Sequence, residues 1–186
     1  AFEWIQEHFI VISNRQVYSY YDLMIFTEKL IKGQQVDGLF VDPYNSLKID
    51  LANGASIGVH EYHYEAASEL LTFANAKGIA VWLNTHAVTE SQRRIGDDGH
   101  PVAPMAADTE GGSKFVNRAD GFVTVHRKIQ HEDEPTRRTI DFHVRKVREV
   151  ESGGMPTPLF SPLTFEMNKH YTSFGCLQGS SSRLFV

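Results

Sequence analysis

Cysteine is nearly missing from this chain: Cys176 is the single one in 186 residues, so an intrachain disulfide is excluded. The scarcity fits a reducing compartment, and a cytoplasmic location is the expectation. No run approaches the roughly 18 consecutive apolar residues that a membrane span needs, and no charged-then-apolar leader opens the chain. A membrane partner is therefore not expected. Basic residues are scarce early: residues 1–90 hold 5 Lys/Arg against 11 Asp/Glu. No internal repeat is visible. A phosphate loop of the form GxxxxGK[ST] is also missing. Gly111-Gly112-Ser113-Lys114 has half of its residues but neither its spacing nor a preceding strand.

What is present is ordinary for a folded domain: 41% hydrophobic and 22% charged residues. A domain of this length buries roughly 70% of the surface its unfolded chain exposes, so a core forms without staples. The net charge of −5 argues against a protein held to nucleic acid by bulk positive charge. The charge is uneven, however. Residues 91–150 hold 11 Lys/Arg against 10 Asp/Glu, with the basic residues paired as Arg93-Arg94, Arg127-Lys128, Arg137-Arg138 and Arg145-Lys146. The chain opens at Ala1 inside what reads as structured sequence, which gives it the look of a fragment.

Residues 9–13 (FIVIS) form a short branched apolar run that reads as a buried strand. Leu23, Phe26, Leu30 and Ile31 follow a helical period over residues 20–32, with Gly33 as the stop. A strand over residues 38–41 runs into Asp42-Pro43, and the proline ends it. Residues 45–58 read as a loop. A helix follows over residues 60–76, with Ala66, Leu70, Phe73 and Ala74 on one face and Gly78 as its cap. Residues 79–83 (IAVWL) form another apolar strand ending in Asn84-Thr85-His86. Strands alternating with amphipathic helices predict an α/β fold: a mainly parallel sheet with helices on both faces.

Residues 88–113 are too polar and too rich in glycine and proline for an ordered element, and a loop this long is usually functional. A short helix is expected over 114–119. The rhythm then changes to period two over 121–125, 139–147 and 159–165, which predicts antiparallel strands with residues 130–135 as a hairpin loop. The domain is expected over residues 1–170, and 171–186 as a loosely held tail.

Ligands of open α/β sheets sit beyond the carboxyl ends of the strands. Asp42 stands there and can hold Mg²⁺ against phosphates; it can equally be a turn residue before proline. Asn84 and His86 end the neighbouring strand, where a histidine can hydrogen-bond a phosphate or attacking water, or be satisfied by loop backbone. Alternation puts Lys146 and Arg148 on one face of a late strand, as an anion site or as a solvated surface. His60-Glu61-x-His63-x-Glu65 lacks HExxH spacing and reads as a solvated first helical turn rather than a metal site.

Four segments in fixed order, LFVDPYNSL (39–47), VWLNTHAVTE (81–90), DTEGGSKFVNRADGFVTVHR (108–127) and VRKVRE (144–149), resemble the second half of a RecA-like helicase core. The likeness is to the superfamily-4 ring helicases of the DnaB/Twinkle type and to phage or mobile-element primase-helicases, and it spans roughly residues 1–170. It implies that Asp42 is the Walker B aspartate holding Mg²⁺ and that His86 is the γ-phosphate sensor. It implies that Arg148, with Lys146 beside it, is an arginine finger reaching a neighbouring subunit's ATP, and that Arg127 lies at the subunit interface. Loops 45–58 and 88–113 would line a central channel, making Arg93, Arg94, Lys114 and Arg118 contacts to single-stranded DNA. Expected partners are further copies in a hexameric ring and, in some relatives, a primase. The family's Walker A loop and catalytic glutamate lie upstream of the matching region, so these 186 residues alone are not expected to hydrolyse ATP. A RecA-like ATPase that does not unwind, and a non-catalytic oligomerisation or DNA-binding module, are the competing readings.

Overall fold

A computed structural model describes residues 2–13, 15–50, 58–176 and 184–185. Its helices are α1 (Phe2–His8), α2 (Tyr20–Gly33), α3 (Val59–Lys77), α4 (Gly112–Arg118), α5 (Glu134–Arg138) and α6 (Val150–Gly153). Its strands are β1 (Gly38–Val41), β2 (Ala80–Leu83), β3 (Gly121–His126), β4 (Thr139–Val147), β5 (Leu163–Met167), β6 (Phe174–Cys176) and β7 (Leu184–Phe185). β1 and β2 pair in parallel, and β3 to β7 form an antiparallel sheet in sequence order.

The β-α-β unit is built by strong local signals. Ser19 caps α2 through a capping box: its side chain accepts from the Asp22 backbone N–H, and the Asp22 carboxylate accepts from the Ser19 backbone N–H. Gly78 closes α3 in the left-handed region at φ 65°, where a side chain would be strained. Leu23 of α2 and Phe73 of α3 pack with Leu39 and Val41 of β1 and with Ile79 into one buried cluster. Ala66 and Ala67 of α3 let Tyr44, Phe115 and Val116 pack closely into a second. Leu47 and Leu83 border both clusters, so α3 is the spine on which the sheet edge and α4 are mounted.

Several expectations need correction. Residues 9–13 form no strand: Phe9, Ile10 and Val11 are exposed, and only Ile12 packs against the core. The parallel pair is covered on one face, not two. Leu39 and Val41 face the helices, while Phe40 and Trp82, cross-strand partners, remain 65% and 63% exposed on the other side. Among the described strands the antiparallel sheet is the larger. Residues 88–113 carry two 3-10 turns, Thr89–Arg93 and Ala106–Asp108, and two isolated bridges, Ala87 with Thr109 and Ile95 with Pro101. The expected hairpin loop runs into α5, and the third late strand starts at Leu163 rather than 159. Part of the expected tail is paired: Phe174–Cys176 joins β5, and Leu184–Phe185 joins β6. Loop residues 51–57 lie outside the described residues.

Candidate functional site at the carboxyl edge of the parallel strands

Parallel pairing in register sets Val41 beside Leu83, so the next residues of both strands emerge together. Asp42 follows β1 and Asn84 follows β2. The Asn84 side chain donates to Asp42 Oδ1 at 2.5 Å, and the Asn84 backbone N–H donates to the Val41 carbonyl at 2.9 Å. Tyr44 N–H in turn donates to the Asn84 carbonyl at 2.7 Å, tying the turn after Asp42 to the end of β2. Asp42 is exposed, and Asn84 holds one of its oxygens in place, leaving the other open to solvent or a cation.

Asn45, in the 3-10 turn Tyr44–Ser46, organises the far side. Its Oδ1 accepts from the His86 backbone N–H at 2.7 Å and from Thr85 Oγ1 at 2.8 Å, and its Nδ2 donates to Glu110. His86 is thereby fixed through its backbone while its imidazole stays exposed. Sequence reasoning misses Asn45 and Glu110. The signals that could flag them are a polar side chain three residues after Asp42 and a carboxylate immediately before Gly111-Gly112.

Behind this edge lies His63. It is 2% exposed, not part of a solvated turn; His60 and Glu61 of that motif are the solvated members. Its Nδ1 shares a 2.9 Å hydrogen bond with Tyr44 Oη, and its Nε2 stands 4.0 Å from Glu110 Oε1. Burial lowers its pKa, opposed by the Glu110 charge, so the imidazole is held neutral. Burial also pushes the Tyr44 hydroxyl up, which keeps it a hydrogen-bonding group rather than an ion. The cavity lined by Tyr44, Asn45, Tyr62, His63 and Glu110 measures about 30 Å³. That is room for a water molecule and not for a nucleotide.

The cationic residues lie elsewhere. Lys146 Nζ donates to the carbonyls of Val116 and Asn117 at 3.1 and 2.8 Å, capping the carboxyl end of α4. Arg148 donates to the Arg118 carbonyl at 3.0 Å and pairs with Asp120 at 2.5 Å. The two therefore act together on one helix end. Arg127 sits at the opposite end of the β3–β4 hairpin, donating from Nε to the Arg137 carbonyl at 2.8 Å, with Tyr171 under its guanidinium. Six residues of strand, about 20 Å, separate it from Arg148's end. Arg93 pairs with Glu90, Arg94 with buried Asp108, and Arg118 lies 4.4 Å over the Tyr64 ring. Lys114 is exposed on α4. The residues expected to meet one nucleotide and one DNA strand thus form separate groups within the chain: Asp42, Asn84 and His86 together, Lys146 with Arg148 and Arg118, and Arg127 apart.

No helix among the described residues is long and apolar enough to cross a membrane. No protein-family model matches the chain, and no curated protein matches it in sequence. Among solved structures it is similar to the ATPase domain of a phage DnaB-like helicase, with a TM-score of 0.63 and 15% identity over 84% of this chain. The match covers 51% of that chain, so these residues span about half of the domain they resemble. At this identity the likeness speaks to architecture alone, and the architecture is the α/β fold of a RecA-like ATPase domain.

Proposed function

We propose that this chain is the Walker B-bearing part of a RecA-like, ATP-driven ring helicase that translocates on single-stranded DNA. The observation that carries the reading is the Asp42–Asn84 pair: an exposed carboxylate at the end of one parallel strand, oriented at 2.5 Å by an amide at the end of the next. Asp42, Asn45, Thr85 and Glu110 offer oxygen donors, the chemistry that Mg²⁺ prefers. The donor set fits that ion. The nucleotide fits only in part, because the chain has no glycine-rich phosphate loop and its cavity is far too small.

In this reading Asp42 holds Mg²⁺, with Asn84 fixing the carboxylate's direction. When bound, the ion supplies charge neutralisation at the transferring phosphoryl group. His86 is the side chain that senses the terminal phosphate, and its backbone hydrogen bond to Asn45 sets its starting position. Arg148 and Lys146 serve the nucleotide of a neighbouring copy. To do so they exchange their bonds to Asp120 and to the α4 carbonyls for phosphate oxygens. Release of these ties frees the end of α4, which couples the nucleotide's state to Lys114 and Arg118 at the DNA.

The test is ATP hydrolysis and strand displacement by a polypeptide that joins this chain to its phosphate loop. Asp42→Asn should lower DNA-stimulated kcat by about 10²–10³, with ring assembly intact by sedimentation. Arg148→Ala should act on copies in trans, so mixed rings should lose activity out of proportion to the fraction of variant. Undiminished hydrolysis in Asp42→Asn would reject the site. Hydrolysis without strand displacement would leave a RecA-like ATPase that is not a helicase.

A further inference from the structure

β3 and β4 pair antiparallel with His126 opposite Asp141 and Thr124 opposite His143. Period-two alternation then puts His126, Asp141 and His143 on one face, across a pair and its diagonal. One potential ligand atom from each lies within 4.8 Å of the other two. His126 and Asp141 are half-buried, and His143 is 7% exposed with its Nδ1 left without a hydrogen-bond partner. An unpaired polar nitrogen in a buried ring is costly, and a metal ion would satisfy the ring that carries it.

We propose that His126, Asp141 and His143 form a binding site for a divalent transition-metal ion of the zinc class, distinct from the Mg²⁺ site read at Asp42. Two imidazoles and one carboxylate suit Zn²⁺ and its neighbours, whereas Mg²⁺ takes oxygen ligands. A tetrahedral ion at about 2.0–2.1 Å from each atom needs its ligands about 3.3 Å apart. Side-chain rotation closes the distance from the 4.8 Å limit. The outer contacts of a ligand set are also present. Thr164 Oγ1 donates to Asp141 Oδ1 at 2.8 Å, and the Pro101 carbonyl faces the His126 ring as an acceptor. A backbone carbonyl on one ring nitrogen leaves the other free to ligate.

Two cations lie near. Lys128 is neutralised by Asp98, and Arg145, next on the same face, opposes the ion while Asp141 favours it. Three protein ligands leave the fourth position for water. The ion would clamp β3 to β4 and to residues 101–104, since Thr124 Oγ1 also donates to the Pro104 carbonyl at 3.0 Å. The hairpin so clamped carries Arg127 at one end and Lys146 and Arg148 at the other.

The test uses the full chain, stripped with a chelator and dialysed against micromolar Zn²⁺. One zinc per chain is expected, with a raised melting temperature. A hundredfold excess of Mg²⁺ should not displace it. Co²⁺ in its place should give the intense visible bands of a tetrahedral site. Asp141→Asn and His126→Gln, both at half-buried positions and so the more tolerant choices, should each weaken zinc binding at least tenfold. Asp42→Asn should leave it unchanged. Failure to retain zinc would overturn the site, as would retention undiminished in both hairpin variants.

Discussion

His63 combines a fully buried imidazole, one nitrogen bonded to Tyr44 and one that meets only the Glu110 carboxylate at 4.0 Å. Burial lowers its pKa below the ordinary 6.5, so below that pH the unfolded chain takes up a proton that the folded chain resists. The stability His63 contributes is full above 6.5 and is lost as pH falls from 6.5 through the depressed folded value. We expect the melting temperature to fall between about pH 7 and pH 5, and to fall less in His63→Gln. A difference of zero between the two profiles would remove His63 as a cause. Tyr44→Phe deletes the hydroxyl and leaves Nδ1 buried and unpaired, at a cost of about 1–3 kcal/mol by denaturant unfolding. None of this is legible in His60-Glu61-x-His63-x-Glu65, because burial of a helical histidine depends on what packs over it. Here that is Phe115 and Gly111, nearly fifty residues downstream.

The approach of α4 to α3 depends on Gly111. It has φ 82°, and a Cβ there would lie 2.7 Å from the His63 Cβ and 3.0 Å from that of Phe115. Gly111→Ala combines left-handed strain with a clash against backbone-anchored atoms. It should cost about 1–3 kcal/mol and release Glu110 from Asn45. Stability would show in urea unfolding, and the displaced network in the amide signals of Thr85 and His86. An unchanged midpoint would mean that α4 shifts freely. Period and caps make α2, α3, β1, β2 and β4 readable, since Ser19, Gly78 and the alternation of Thr139–Val147 are local signals. Residues 9–13 mislead because an apolar run becomes a strand only with a partner, and none pairs with it among the described residues. Residues 88–113 mislead in the opposite sense. Their order comes from backbone bridges and from Asp108, which receives both Arg94 and the Met105 N–H, and none of these shows in composition. Of the candidate site, Asp42, Asn84 and His86 are visible as strand endings, while Asn45 and Glu110 become members only through long-range contacts.

Across the whole molecule, charge decides what these residues can do with a nucleic acid. A net charge of −5 repels a phosphate backbone, so binding to single-stranded DNA must come from a few cations held where several copies converge. Within one chain most of the nominated cations already have partners: Arg93 has Glu90, Arg94 has Asp108, and Arg118 rests on Tyr64. Lys114 is exposed, and among the described residues no acidic group pairs with it. The isolated chain should therefore bind a single strand weakly. In the assembled protein Lys114→Ala should flatten the dependence of log K on log salt by about 0.7 for each phosphate that the lysine no longer neutralises. Arg94→Ala should behave differently. It strips a buried carboxylate of its cation, so the lower melting temperature should be its main effect, with little change in salt slope. Fluorescence anisotropy on a labelled oligonucleotide across a salt series, paired with melting curves, separates the two. A salt slope moved by Arg94→Ala and untouched by Lys114→Ala would reverse the assignment, making residues 88–113 rather than the start of α4 the surface that meets DNA.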